Sequence, residues 1–299
     1  MATDKKTHHH NNSHVPVLLE AVVQILAPQS GETYLDLTAG YGGHTSSILE
    51  KTGNATGLTL VDRDEHAIAS LSDLSKQGAR IIHQDFASAA VEISESGEQF
   101  DMILIDLGVS SPHLDNAERG FSFQTEAPLD MRMDNRQVLT AERIVNKFPE
   151  AEIERILKEY GEEPKARKIA HAIRLNRPFS TTLELADVVE EVYGRRGKIH
   201  PATRTFQALR IAVNEELAQL QTVLPLLPNL LTMGGRVAVI SFHSLEDRLV
   251  KRYFASESSS GYEARIQVLT KKPISGATED VLNRRARSAK LRAAVKINT

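Results

Sequence analysis

Apolar residues follow two rhythms along this chain. In the first third they come in short runs between turn residues: Tyr34 to Leu37, Gly57 to Asp62, Arg80 to Asp85 and Phe100 to Asp106. The last run is apolar on both faces, which predicts a parallel strand covered on both sides. Helical spacing lies between the runs, with Ile68, Leu71 and Leu74 on one face of a helix predicted over His66 to Lys76. A helix ending near Leu26, broken by Pro28, Ser30 and Gly31, precedes the first strand. Strands alternating with helices at this spacing predict a doubly wound α/β sheet.

From about Pro112 to Pro201 the strand rhythm stops. Helices are predicted over Ala151 to Tyr160, over Ala166 to Leu175, and after Thr181. There Thr181 and Glu184 have the capping-box spacing, and Leu185, Val188, Val189 and Val192 follow. A long helix is predicted from about Thr203 to Leu224, a fifth strand over Arg236 to Ser241, and two more over Arg265 to Thr270 and Leu291 to Lys296. The pattern divides the chain into a polar tail (1–13), a discontinuous sheet domain (14–112 and 202–299) and a helical insertion (113–201).

Composition narrows the function. The 299 residues carry 36 basic and 39 acidic side chains, a net charge of −3, so any contact with nucleic acid needs a local basic patch. There is no cysteine, which excludes disulfides, thiolate metal sites and a cysteine nucleophile. No apolar run approaches the roughly 18 residues of a membrane helix, and the polar start, with His8-His9-His10, has no apolar core of a signal peptide. A disordered tail, a cytoplasmic location and no membrane partner are expected.

The candidate chemistry centres on Asp36-Leu37-Thr38-Ala39-Gly40-Tyr41-Gly42-Gly43-His44, a strand end, a glycine turn and a helix start. Glycine lets backbone approach a ligand closely. A dinucleotide fingerprint would need glycine where Thr45 stands, and the lysine of a phosphate loop is absent. Instead, acids stand at or near strand ends: Asp36, Asp62, Asp85 and Asp106. Asp62 is placed to accept from ribose hydroxyls, and Phe86 to pack on an adenine. Any single acid of the four could equally be a solvated loop acid or a helix cap. S-adenosylmethionine, an adenosine with a sulfonium and no phosphate, suits such a site.

Several segments then resemble one family. Asp36 to His44, Asp62-Arg63-Asp64, Asp106 to Pro112, Glu118 to Phe123, Pro128 to Asp134, His200 to Ile211 and Ser241 to Arg248 are similar to the bacterial RsmH/MraW family, and the resemblance runs from His14 to about Lys296. It implies a Rossmann-like S-adenosylmethionine-dependent methyltransferase sheet, mostly parallel, with a C-terminal antiparallel hairpin and a small all-helical insertion for RNA recognition. It also implies methylation of the N4 amine of a cytidine in 16S ribosomal RNA, within the small ribosomal subunit, and a homodimer is compatible with it. By position, Gly42, Gly43, His44, Asp62, Phe86, Asp106 and His113 would contact the cofactor. Three positions depart from the pattern: Leu37-Thr38-Ala39 for the commoner Gly-Thr, His113 for glutamine, and Arg284 for proline.

Cytosine N4 is a weak nucleophile, because its lone pair is shared with the ring. An enzyme helps by aligning the amine and accepting its proton. Asp106 is placed at the reaction centre, in cofactor binding, amine positioning or both. His243 and Ser241 end the fifth strand on the same rim and are candidates for contact with a flipped base; alternatively Ser244 caps the next helix and His243 supports the turn. Two acid-free basic runs, Val192 to Asn214 with Arg195, Arg196 and Arg204, and Val281 to Thr299, are candidates for holding RNA. Arg132 either closes over cofactor or RNA or pairs with Asp130 or Asp134. No metal is expected. A small-molecule or protein methyltransferase would not need the basic runs, and a non-enzymatic RNA-binding factor would not need the intact acids.

Overall fold

Residue alternation along one strand explains how the sheet is covered. Met102 and Leu104 point into one apolar cluster while Ile103 and Ile105 point into another, all four fully buried. This strand, β4 (Phe100–Asp106), lies between β1 (Tyr34–Asp36) and β5 (Leu231–Ser241). Outward from β1 come β2 (Leu58–Asp62) and β3 (Arg80–His83). Beyond β5 come β8 (Lys290–Lys296) and β6 (Ile266–Val268), and β7 (Ile274–Ser275) also pairs with β8. The order β3-β2-β1-β4-β5-β8-β6 is parallel from β3 through β5, and β8 runs antiparallel to both neighbours. This is the expected α/β sheet with an antiparallel C-terminal edge. The computed structural model describes residues 16–110, 116–194, 197, 200–259 and 261–298.

Helices cover both faces. Leu19–Leu26 and Gly43–Thr52 close one cluster over Tyr34, Leu58 and Leu60. Phe86–Ser96, Glu216–Val223 and Ser244–Ser258 close the other over Leu35, Val61 and Val239. A third apolar cluster belongs to the helical segment. It runs from Phe121 through the helices Ala141–Lys147, Glu150–Gly161, Ala166–Leu175 and Thr182–Tyr193 to Val213. The capping box forms as spaced, with Thr181 Oγ1 accepting from Glu184 N and the Glu184 carboxylate from Thr181 N.

Several expectations need correction. The helix over His66 to Lys76 is two short helices, Glu65–Ser70 and Ser72–Lys76, hinged at Leu71, which is fully buried against the glycine turn. The long helix from Thr203 breaks at Glu215, where φ is +53°, into Ala202–Asn214 and Glu216–Val223. Because Ala202, Phe206, Leu209 and Val213 sit in the third cluster, the boundary expected at 201/202 falls inside that core. We propose that the helical unit extends to Asn214. The fifth strand begins earlier, at Leu231, and a further short strand, Ile274–Ser275, lies between the last two predicted ones. Asp85 stands beyond the end of β3 and caps the next helix, accepting from Ala87 N and Ser88 N.

Candidate active site

The carboxyl ends of β1, β2, β4 and β5 open into one cleft of about 800 Å³, closed on its far side by the helical unit. That is the position a doubly wound sheet offers to ligands. The glycine turn forms one wall. Gly40 and Gly42 have φ of +52° and +77°. A Cβ on Gly43 would lie 2.4 Å from Pro16 Cγ, so the helix start is packed as closely as glycine permits. At Gly40 an added Cβ would meet only Thr38 O, at 3.9 Å, so a side chain there would take up the space at the turn.

Two carboxylates hold this turn. Asp36 accepts from Tyr34 Oη at 2.9 Å, Thr45 Oγ1 at 3.0 Å and Thr38 N at 3.2 Å. It lies under the glycine loop and does not line the cleft. Asp62 does line it, and accepts Gly40 N at 2.8 Å and Asp64 N at 2.8 Å. Asp106 is 24% exposed at the end of β4 and has its Oδ2 3.5 Å from His44 Nε2. Its Oδ1 and both ring nitrogens of His44 are buried without a hydrogen-bond partner among the described residues.

Burial pushes the Asp36 carboxyl up to about 6 from its ordinary 3.8, against the pull of His44 and of its three hydrogen bonds. Since the folded value exceeds the unfolded one, ionisation costs the folded state. The contribution of Asp36 is full below pH 3.8 and is lost as pH rises through about 6, about 3 kcal/mol in all. Asp36→Asn is therefore expected to gain on the wild type by about that amount between pH 4 and pH 7.5. Urea unfolding without cofactor at the two pH values measures it, and a difference independent of pH would refute the assignment.

Gly42, Gly43, His44, Asp62, Phe86, Asp106 and His243 all line this one cleft. His113, Arg195 and Arg196, expected in the site, lie outside the described residues. Ser241 is buried below the rim, and the next residue, Phe242, lines the cleft in its place. Arg132 is committed to its own loop: it spans Asp130 with bonds of 2.8 and 2.7 Å and donates to Asn135 O and Gln137 O. Arg204 is exposed and donates to Glu162 O, while its neighbours Thr203 and Gln207 line the cleft. His243, rather than Ser244, caps the helix Ser244–Ser258, its Nδ1 accepting Glu246 N at 3.4 Å.

The second half of the cleft escaped the sequence reading. Phe121, Phe123, Phe206 and Phe242 give it an aromatic wall. Phe123 packs edge-on to Phe206, with ring centroids 4.8 Å apart, and lies 4.7 Å from His200. A Cβ on Gly108 would stand 3.4 Å from Phe242, so the loop after β4 passes close to that ring. The signal available was Phe121-Ser122-Phe123, two aromatics on alternate positions of a polar loop. Beside these rings Arg210, which also lines the cleft, spans Glu216 with bonds of 2.8 and 2.7 Å. Glu216, His243 and Glu246 bring ligand-type atoms within 4.8 Å of one another. With Arg210 on Glu216 and the cap bond on His243 Nδ1, this chemistry is that of an ion-pair network.

The residues suit an adenosyl sulfonium. Glycine backbone lines part of the cleft, the Asp62 carboxylate can accept from hydroxyls, Phe86 gives an apolar face, and Asp106 offers a partly exposed carboxylate.

The chain is similar to known proteins. Ribosomal RNA small subunit methyltransferase H of Heliobacterium mobile is 45% identical over 309 residues, covering 95% of this chain and 99% of that one. Its namesake in Synechocystis sp. is 49% identical over 292 residues, covering 95% and 93%. That of Geobacter sp. (strain M21) is 47% identical over 307 residues, covering 95% and 98%. A solved structure, a putative rRNA-methylase from Clostridium thermocellum, aligns at a TM-score of 0.45 and 12% identity over 96% of this chain and 98% of that one. The profile of the MraW methylase family matches residues 11–297, nearly the whole length, and the chain belongs to that family.

Proposed function

We propose that this protein transfers a methyl group from S-adenosylmethionine to the N4 amine of a cytidine in small-subunit ribosomal RNA. The observation that carries the reading is the position of Asp106, partly exposed at the end of β4 in a cleft that the glycine turn and an aromatic wall also line. When bound, S-adenosylmethionine supplies an electrophilic methyl on a sulfonium. The Gly40–Gly43 backbone, Asp62 and Phe86 hold its nucleoside, with His44 and, by the family pattern, His113 beside them.

A base taken out of its stack needs a flat apolar slot and a polar group at its edge. Phe123, Phe206 and Phe242 provide the slot, and His243 stands on the same rim. Asp106 accepts a hydrogen bond from the amine, which turns the nitrogen lone pair toward the methyl, and takes up the proton released. The names of the relatives favour small-subunit RNA as the acceptor. Arg195, Arg196 and Arg204, in a run without an acid, supply positive charge for its phosphates.

The test is methyl transfer from labelled S-adenosylmethionine to intact small subunits and to naked ribosomal RNA, with the product nucleoside identified. N4-methylcytidine is the expected product on one or both. Label on another atom of the RNA, or on protein, would overturn the reading.

A further inference from the structure

His44 is a buried imidazole that the fold leaves unsatisfied. It sits in the first turn of the helix Gly43–Thr52, 7% exposed, and neither ring nitrogen has a hydrogen-bond partner among the described residues. Leaving such a group unpaired is costly in a buried site, so it calls for an explanation in another state of the protein. A cofactor contact alone would engage one edge of the ring. Nε2, however, points toward Asp106, 3.5 Å from Oδ2. On the other side of Asp106, Oδ1 is likewise buried without a partner. The unpaired ring and the carboxylate thus stand side by side at the cleft.

We propose that His44 is the proton partner of Asp106, a positioning residue that takes over from the carboxyl the proton lost by the amine. The proposal rests on the methyl-transfer reading above. As the bond from N4 to the methyl carbon forms, the sulfur–carbon bond breaks, its electron pair stays on sulfur, and the sulfonium charge is neutralised. N4 sheds one proton, which passes to the Asp106 carboxyl and from there to the Nε2 lone pair of His44. Asp106 is returned as a carboxylate beside an imidazolium, and the proton leaves to solvent when the products do. The gap of 3.5 Å is slightly longer than a hydrogen bond and closes when the proton arrives. Asp36 lies close by, and its carboxylate adds a second negative charge acting on His44.

The test combines His44→Gln, Asp106→Asn and the double variant. With saturating cofactor, His44→Gln is expected to slow single-turnover transfer about 10- to 100-fold, less than the loss of the first proton acceptor because His44 acts through Asp106, with a clearly smaller fall in affinity for S-adenosylhomocysteine by calorimetry. The double variant is expected to be no slower than Asp106→Asn alone, because the two residues act as one unit. Without cofactor, the His44 ring nitrogen signals, assigned through the backbone by NMR, are expected to move in Asp106→Asn, and this arm needs no folded His44 variant. A full rate in His44→Gln, a fall in affinity equal to the fall in rate, multiplicative losses in the double variant, or unmoved ring signals would each overturn the proposal. A wild type that forms no N4-methylcytidine defeats the functional reading. A wild type that does, with His44→Gln equally fast, defeats this inference alone.

Discussion

Asp106→Asn is expected to fold normally and to transfer methyl groups about 10²- to 10⁴-fold more slowly, the range lost when a positioned proton acceptor is removed. Asparagine keeps the shape and an acceptor oxygen, so it can still align the amine, but it cannot take the proton. The fold has little at stake. The side chain is 24% exposed, its Oδ1 has no partner to strand, and its backbone N–H keeps its 2.6 Å bond to Thr38 Oγ1. The loss should therefore fall mainly on the rate at saturating cofactor, with thermal stability almost unchanged. Single-turnover transfer, with circular dichroism as the check on folding, decides it. A folded Asp106→Asn protein working at the wild-type rate would remove Asp106 from the reaction centre.

How much of this was legible in the sequence depended on whether the signal was local. β4 was readable because Met102, Ile103, Leu104 and Ile105 alternate between two cores, and only a strand covered on both sides can be apolar at every step. Asp62, Asp106 and the glycine turn were readable because strand ends in such a sheet fall on one rim. The break at Glu215 was not, since apolar spacing continues through it and a non-glycine residue at positive φ leaves no compositional mark. That His243 rather than Ser244 caps the next helix was not legible either; the cap is set by Glu246, which bonds back to the N–H groups of Phe242 and His243. The aromatic wall was hidden because apolar periodicity marks Phe206 as core whether it faces a core or a cleft. Arg132 could pair locally or with a ligand, and in the fold it bonds Asp130, two residues away.

Asn214→Ala is expected to lower stability by about 3–5 kcal/mol, since it leaves several buried backbone groups unpaired at about 1–3 kcal/mol each. The side chain is fully buried where the helical unit meets the sheet. Its Oδ1 accepts Met133 N at 2.8 Å, and its Nδ2 donates to Met131 O at 2.8 Å and Arg210 O at 2.9 Å. Its own carbonyl accepts from Arg63 Nη1 and Gln219 Nε2. One residue thus ties the loop of Met131, whose φ is +63°, to the helix break and to the residue following β2. Met133 and Arg63 both line the cleft, so the loss reaches the site as well as the fold. A midpoint lowered by about 10 °C is expected in thermal unfolding. Asn214→Asp separates the two halves of the argument. It keeps an acceptor for Met133 N but turns an oxygen toward the carbonyls of Met131 and Arg210, so it should be at least as damaging as alanine. Were aspartate tolerated while alanine was not, the bond to Met133 alone would be holding the loop, and the two carbonyl contacts would be incidental to it.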